Sequence, residues 1–236
     1  MQAALSRRAR PLLGTLVEVG GACDAALLDL AFDEIVAVQA ALSRFEPGSD
    51  VARFNALAAG AGIEAGEHAR CVLAAAESLA QRTAGRFDVA LGSGRWLLQG
   101  RRWIKLDAAV SVDLGGIAKG HAIDRAIAAL QAAGCRSGWV NAGGDLRVYG
   151  ELQLNLQLRD EALGGVRKFG QLRDAACATS HFAPGSRSRL AGGDGRPCHL
   201  SVQAPTALWA DALTKVLALG QSDELLQEFG ARVWWH

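Results

Sequence analysis

The chain has 236 residues, is 50% hydrophobic and 21% charged, and carries a formal net charge of +1. That balance excludes a disordered chain and gives no overall positive field to recruit DNA or RNA. No apolar run approaches the about eighteen residues a membrane helix needs, so no membrane insertion is expected.

The five cysteines, Cys23, Cys71, Cys135, Cys177 and Cys198, are scattered without a CxxC pair, which argues against a zinc knuckle or a disulfide framework. The N-terminus has basic residues but no apolar signal-peptide core, so the expected location is cytoplasmic. The length suits one domain over residues 1–236, with a small lid or hairpin around 92–106.

In chain order, Leu12 to Val19 reads as a strand closed by Gly20 and Gly21. Asp24 is placed to cap a helix presenting Leu27, Ala31, Ile35, Val38 and Leu42 on one side. Ser43 to Ser49 is a loop. A second helix covers Glu67 to Arg82, with Val72, Leu73, Ala76 and Leu79 inward, and a turn follows to Asp88. Residues 94–105, with Trp96 and Trp103, read as a tryptophan-packed hairpin or lid. Val110 to Leu114 reads as a strand, and Ala118 to Ala133 as a helix stopped by Gly134. Trp139 to Asn141, Leu146 to Tyr149 and Leu152 to Arg159 read as strands, with Val166 to Leu172 beside them. Residues 183–197 read as a loop and Leu200 to Ala204 as a strand. Helices are expected over Trp209 to Leu219 and Ser222 to Phe229, with a terminal strand at Val233 to His236. Strands outnumber helices, and long helices cross between them, which gives a mixed α+β class.

Two glycine-dense turns carry the chemistry. Asp113-Leu-Gly115-Gly116-Ile-Ala-Lys119-Gly120 runs into the helix that holds His121 and Asp124. Glycines admit backbone N–H groups close to an anion, and a helix N-terminus adds favourable field for phosphate. The alternative reading is a tight strand–helix turn with a solvated lysine. Asn141-Ala-Gly143-Gly144-Asp145 is either a backbone platform for a flat ligand or a plain hairpin turn. Asp211, with Thr214 and Lys215 close behind, is either a hard oxygen ligand for magnesium or a complement to a helix dipole. His181, next to Thr179 and Ser180, is the histidine best placed among hydroxyls for acid–base work, and a structural histidine is the other reading. No HExxH spacing or nucleophile elbow supports a zinc or serine hydrolase.

These blocks, together with Leu13-Gly-Thr15, Leu42-Ser-Arg-Phe45, Gly85-Arg-Phe-Asp88, Ala178-Thr-Ser180 and Ala210-Asp-Ala-Leu213, resemble the FAD:protein FMN transferases, the ApbE-like family once described as thiamine-biosynthesis lipoproteins. The resemblance runs from about Arg10 to Gly220. It implies a T-fold-like α+β core of mixed or antiparallel sheets packed with helices. It implies magnesium-dependent transfer of FMN from FAD to a threonine or serine hydroxyl of an acceptor protein, releasing AMP. Carried over, Asp211 is the metal carboxylate and the Ala118 carbonyl a backbone ligand; from the chain's own residues Thr214 is the further metal-ligand candidate, and His181 and Lys215 join Asp211 as the catalytic candidates. Phe45, Ser49, Asn55, Asp88, Gly115, Gly116, Lys119, Asp124, Asn141, Gly143, Gly144, Asp145 and Ser180 line the FAD site.

The chain departs from the family pattern at three places. A His-x-x-Asp-Pro-x-x-Gly segment aligned on Gly195 puts Ser188 at the histidine and Ala191 at the aspartate. Lys215 stands where a threonine is common, four residues after the metal aspartate, and His181 stands where a glycine is common. These departures keep two other readings open: an FAD- or nucleotide-binding protein without transfer, and hydrolysis of FAD to FMN and AMP.

Overall fold

A computed structural model describes residues 5–159, 165–183, 198–220 and 224–236. Strands β1 (Ser6–Leu12) and β2 (Thr15–Gly21) form a hairpin, so the expected single strand from Leu12 to Val19 straddles its turn. Leu13 and Gly14 make that turn, both at positive φ. A 3-10 turn, Ala25–Leu27, capped by the Asp24 carboxylate, leads into α1 (Leu28–Leu42). A short helix, α2 (Asp50–Asn55), follows the Ser43 loop. Strand β3 (Gly62–Glu64), α3 (Glu67–Arg82), β4 (Trp96–Gln99) and β5 (Arg102–Lys105) come next. Helix α4 (Ala118–Ala132) precedes β6 (Gly138–Ala142), β7 (Asp145–Arg159), β8 (Val166–Phe182) and β9 (Cys198–Ala204). Helices α5 (Ala207–Ala218) and α6 (Glu224–Glu228) and strand β10 (Arg232–Trp235) complete the chain.

The architecture is α+β. A seven-stranded sheet has the order β1-β2-β6-β7-β8-β9-β10, and a three-stranded sheet has the order β3-β5-β4. Every described strand pair is antiparallel. The helices pack on one face of the larger sheet. Leu28, Phe32 and Ile35 of α1 meet Ile123, Ile127 and Leu130 of α4 in the same core as Val17, Val140 and Leu200. Apolar residues at helical spacing produce this stripe, so α1 and α4 fold and bury the same face at once. The β4–β5 hairpin is anchored by Trp103, which is fully buried and stacked on Phe54 of α2, with ring centroids 3.8 Å apart. The two strands expected over 146–159 are one, irregular where Gly150 takes a φ of 75°.

The segment Val110 to Leu114 is not a strand. It alternates buried and exposed residues as a strand would, but no strand lies beside it. Asn55 takes that place: its side-chain amide donates to the Val112 carbonyl at 2.9 Å, and its oxygen accepts from the Val112 N–H at 2.7 Å. Among the described residues, no helix is long and apolar enough to cross a membrane.

Candidate functional site

Helices α4 and α5 meet at their N-terminal ends, and their contact is closer than ordinary side chains allow. A Cβ on Gly120 would stand 2.2 Å from the Ala207 carbonyl oxygen, so only glycine fits there. Each helix supplies a carboxylate to the other's first turn. Asp124 on α4 accepts from the N–H groups of Ala207 and Leu208, both at 2.9 Å, and pairs with Arg147. Asp211 on α5 accepts from the Gly120 N–H at 3.1 Å. A carboxylate there satisfies orphan donors and complements the helix dipole.

Beside this junction, Ala118 and Lys119 of α4 and Lys215 of α5 line an open groove of about 920 Å³. Its far wall comes from the Ser43–Glu46 loop, the Arg86–Val89 turn and the end of α1. Gly115, Gly116, Ala118 and Lys119 bring the start of α4 to the groove, and Ser180 and Lys215 close it below. Phe45 is 79% exposed at the rim, with the Arg44 guanidinium 4.7 Å from its ring centroid and 3.2 Å from Asp113.

Four buried or half-buried charges alternate beneath the groove. Lys119 Nζ lies 2.7 Å from Asp145 Oδ2, and Lys215 Nζ is bonded to Asp211 Oδ1 and lies 3.0 Å from the Asp211 carbonyl oxygen. Asp145 is 2% exposed and Asp211 is fully buried. Burial pushes the Asp145 carboxyl up, and the Asp211 charge adds to that against the pull of Lys119. For Lys119, burial works against the charge, but Asp145 and Asp211 outweigh it and hold its pKa above the ordinary lysine value. The ammonium is therefore fully charged at neutral pH.

The structure divides the residues expected at the site. Phe45, Asp88, Gly115, Gly116, Ala118, Lys119, Ser180 and Lys215 line the groove, and Asp145, Asp211 and Thr214 lie directly behind it. Others do structural work away from its lining. Ser49 donates to the Ser43 carbonyl at 2.6 Å and caps α2. Asn55 braces Val112, and Asp124 is committed to α5 and Arg147. Burial raises the Asp124 carboxyl's pKa, with Arg147 and the two N–H groups opposing.

Gly143 and Gly144 form a two-residue hairpin turn at φ 62° and 103°, held by Asn141 accepting from the Gly144 N–H at 3.0 Å. Here the hairpin reading of that motif is the observed geometry. His181 is paired across the sheet with His199, one residue beyond Ser180. Successive strand residues face opposite ways, so His181 stands on the other face from Ser180, which bonds Thr214 at 2.8 Å. His181 and Asp211 are not brought together. The Ser188–Gly195 departures lie outside the described residues. Groove residues not singled out from the sequence include Arg44, Glu46 and Arg86, and Asp113, which opens the first glycine-dense motif, lines the groove too. All but Glu46 sit inside or beside motif blocks, where their charge was the available signal.

Magnesium was expected on Asp211, Thr214 and the Ala118 carbonyl. The donors present do not fit it. Each Asp211 oxygen already accepts a hydrogen bond, one from Lys215 and one from the Gly120 N–H. The Thr214 hydroxyl donates to the Asp211 carbonyl at 2.7 Å and is bonded to Ser180. The Ala118 carbonyl begins the hydrogen-bond ladder of α4. Magnesium demands a near-octahedral set of oxygens, and the Lys215 ammonium already sits against the carboxylate expected to hold it. Among the described residues, no three His, Cys, Asp or Glu side chains gather to hold an ion.

The ApbE family model matches residues 13–103 and 95–230. The chain is similar in structure to "Flavin Transferase ApbE from Vibrio cholerae", with a TM-score of 0.81 at 19% identity, covering 99% of this chain and 93% of that one. It is similar to the apo form of Pseudomonas stutzeri flavinyl transferase ApbE, with a TM-score of 0.80 at 21% identity, covering 100% of this chain and 91% of that one. The ApbE protein of Thermotoga maritima gives a TM-score of 0.80 at 21% identity, covering 98% and 94%. No curated protein sequence matches significantly. The two matched segments overlap and take in every element that builds the groove, from the β1–β2 turn to α5, and on that ground the chain belongs to the ApbE family.

Proposed function

We propose that this chain transfers the FMN moiety of FAD to a threonine or serine hydroxyl of an acceptor protein and releases AMP. The observation that carries the reading is the groove itself: in a member of the ApbE family, the N-terminus of α4 and the cations Arg44, Arg86, Lys119 and Lys215 converge on one open channel. The Vibrio cholerae and Pseudomonas stutzeri relatives are described as flavin or flavinyl transferases.

FAD presents a diphosphate between two flat ring systems. Backbone N–H groups at a helix N-terminus and fixed cations bind such a group, and they gain strength where charge builds up during transfer. The acceptor oxygen forms a bond to the FMN phosphorus, and the bond from that phosphorus to the bridging oxygen breaks. AMP leaves with the bridging oxygen and its electron pair. The hydroxyl proton passes to solvent or to the AMP phosphate, a monoester whose second pKa is about 6. Among the described residues, no histidine lines the groove. The exposed Phe45 ring offers a face on which a flavin or adenine can stack. No step passes through a metal ion.

The scattered cysteines, without a CxxC pair, favour a reducing compartment and so a cytoplasmic location. The test is incubation with FAD and an acceptor domain carrying a candidate Thr/Ser motif, followed by intact mass and AMP measurement. An FMN-sized mass gain with matching AMP supports transfer. AMP without a mass gain supports hydrolysis, and FAD binding without either product supports the binding-protein reading.

A further inference from the structure

We infer that the Lys215 ammonium is the resident cation of this site, taking the place of a divalent metal and making the chain's chemistry metal-independent. The inference rests on the transferase reading for the reaction, and on geometry alone for the cation.

The first observation is position. Lys215 follows Asp211 by one helical turn, which brings their side chains onto the same face of α5. Its stem runs along Gly116, with Cγ and Cε each 3.6 Å from where a Cβ of that glycine would be. Its ammonium ends between Asp211 and the groove, which it also lines. A metal held by Asp211 would compete for that space.

The second observation is charge balance. Asp145 and Asp211 are both buried, and Lys119 and Lys215 neutralise them one for one. Within the cluster no negative charge is left to draw a dication in before a ligand binds. Placing one there in the ligand-free chain leaves two uncompensated positive charges or expels the lysine from its buried partner, and both are costly. If residue 215 were neutral, the cluster would carry one net negative charge and Asp211 would have an oxygen free.

The third observation is donor count. An ammonium has three N–H donors. Asp211 takes two of them, through Oδ1 and its carbonyl oxygen. One remains for a ligand in the groove. A lysine binds phosphate as a point charge. This one is prepositioned by its bonds to Asp211, so it offers fixed positive charge to a diphosphate without a metal's coordination shell.

The test uses the full chain freed of nucleotide, with manganese(II) chloride as the probe. Electron paramagnetic resonance of the free ion reads binding without turnover. The wild-type chain is expected to leave the free-manganese signal unchanged, and Lys215→Thr to remove one equivalent. In transfer assays with FAD and acceptor, chelation by EDTA is expected to leave wild-type product formation unchanged. It should depress that of Lys215→Thr by at least about tenfold, the weight of one charge-assisted hydrogen bond.

Lys215→Met keeps a stem against Gly116 and carries the same binding expectation if the threonine variant does not fold. Stoichiometric manganese binding by the wild type, abolished by Asp211→Asn, overturns the inference. So does loss of wild-type activity in EDTA that magnesium restores. Variants blind to manganese also overturn it, because the lysine would then not be what keeps the metal out. If FAD yields no product under any condition, the transferase reading fails, and the manganese titration still decides the question of the cation.

Discussion

Replacing Gly120 by alanine puts a methyl group into the crossing of α4 and α5. The new Cβ would stand 2.2 Å from Ala207 O, 2.5 Å from Ala207 C and 2.7 Å from Leu208 Cα. All three are backbone atoms, so no side chain can swing aside and the helices must separate. Overpacking of this kind costs about 1–3 kcal/mol. Separation also stretches the bond from the Gly120 N–H to Asp211 and the two that Asp124 accepts. Losing one such charge-assisted bond adds about 1.5–3 kcal/mol. Alanine's better helix propensity returns about 1 kcal/mol. The net loss is about 3 kcal/mol, a large share of the about 5–15 kcal/mol that holds a domain folded. At this chain length it lowers Tm by about 6–12 °C. Urea unfolding followed by tryptophan fluorescence, with calorimetry beside it, measures the loss. Gly48→Ala is the control, because nothing lies within 4 Å of its added Cβ. A loss below about 1 kcal/mol for Gly120→Ala, or an equal loss for the control, would refute the argument from close approach.

Two further outcomes follow from the same geometry. Asp124→Ala removes the acceptor for two α5 N–H groups and leaves Arg147 unpaired, so stability falls by about 2–4 kcal/mol. FAD affinity measured well below the melting range should hardly move, and a large drop in affinity at unchanged stability would contradict the structural role given to Asp124. His121 is buried against His68, 3.1 Å from ring nitrogen to ring nitrogen, and burial and then the His68 charge lower its pKa from 6.5 to about 4. The unfolded chain therefore takes up this proton at higher pH than the folded one, so the contribution is intact above about pH 6.5 and is lost as pH falls toward 4, at up to about 3 kcal/mol. His121→Gln should flatten the fall in urea midpoint across that window relative to wild type, and parallel curves would show that His121 does not cause it.

Helix α3 was legible in the sequence because its apolar spacing is regular over sixteen residues and nothing competes with it. Helix α4 was legible for the same reason, with Gly134 stopping it at a φ of 82°. Strand β1 was not, because an edge strand reading Ser-Arg-Arg-Ala-Arg-Pro has no buried face to leave a pattern. The segment Val110 to Leu114 misled for the opposite reason: its alternation is real, but its hydrogen bonds go to the Asn55 side chain, Ser93, Asp107 and Val89 and not to a neighbouring strand.

At the site, the sequence marked the start of α4 and the Asp211–Lys215 spacing, both of which are local patterns. It put Asp124 at the ligand site, whereas in the structure its carboxylate is held by Arg147 and by two α5 N–H groups more than eighty positions away, which no local pattern records. Gly120 was visible as one more glycine in a phosphate-type turn, and its dominant constraint is a helix crossing that no short motif records.

The reciprocal bonds between α4 and α5 also determine how the molecule opens. The N–H groups of Gly120, Ala207 and Leu208 are each held by an aspartate on the other helix. None can exchange its proton with solvent by fraying of its own helix end alone, since the partner carboxylate must leave as well. The three amides therefore share one opening event, the parting of the two helices. A ligand that bridges Lys119 on α4 and Lys215 on α5 makes that parting rarer, and it slows deuterium uptake at Ala207 and Leu208 even though neither residue lines the groove.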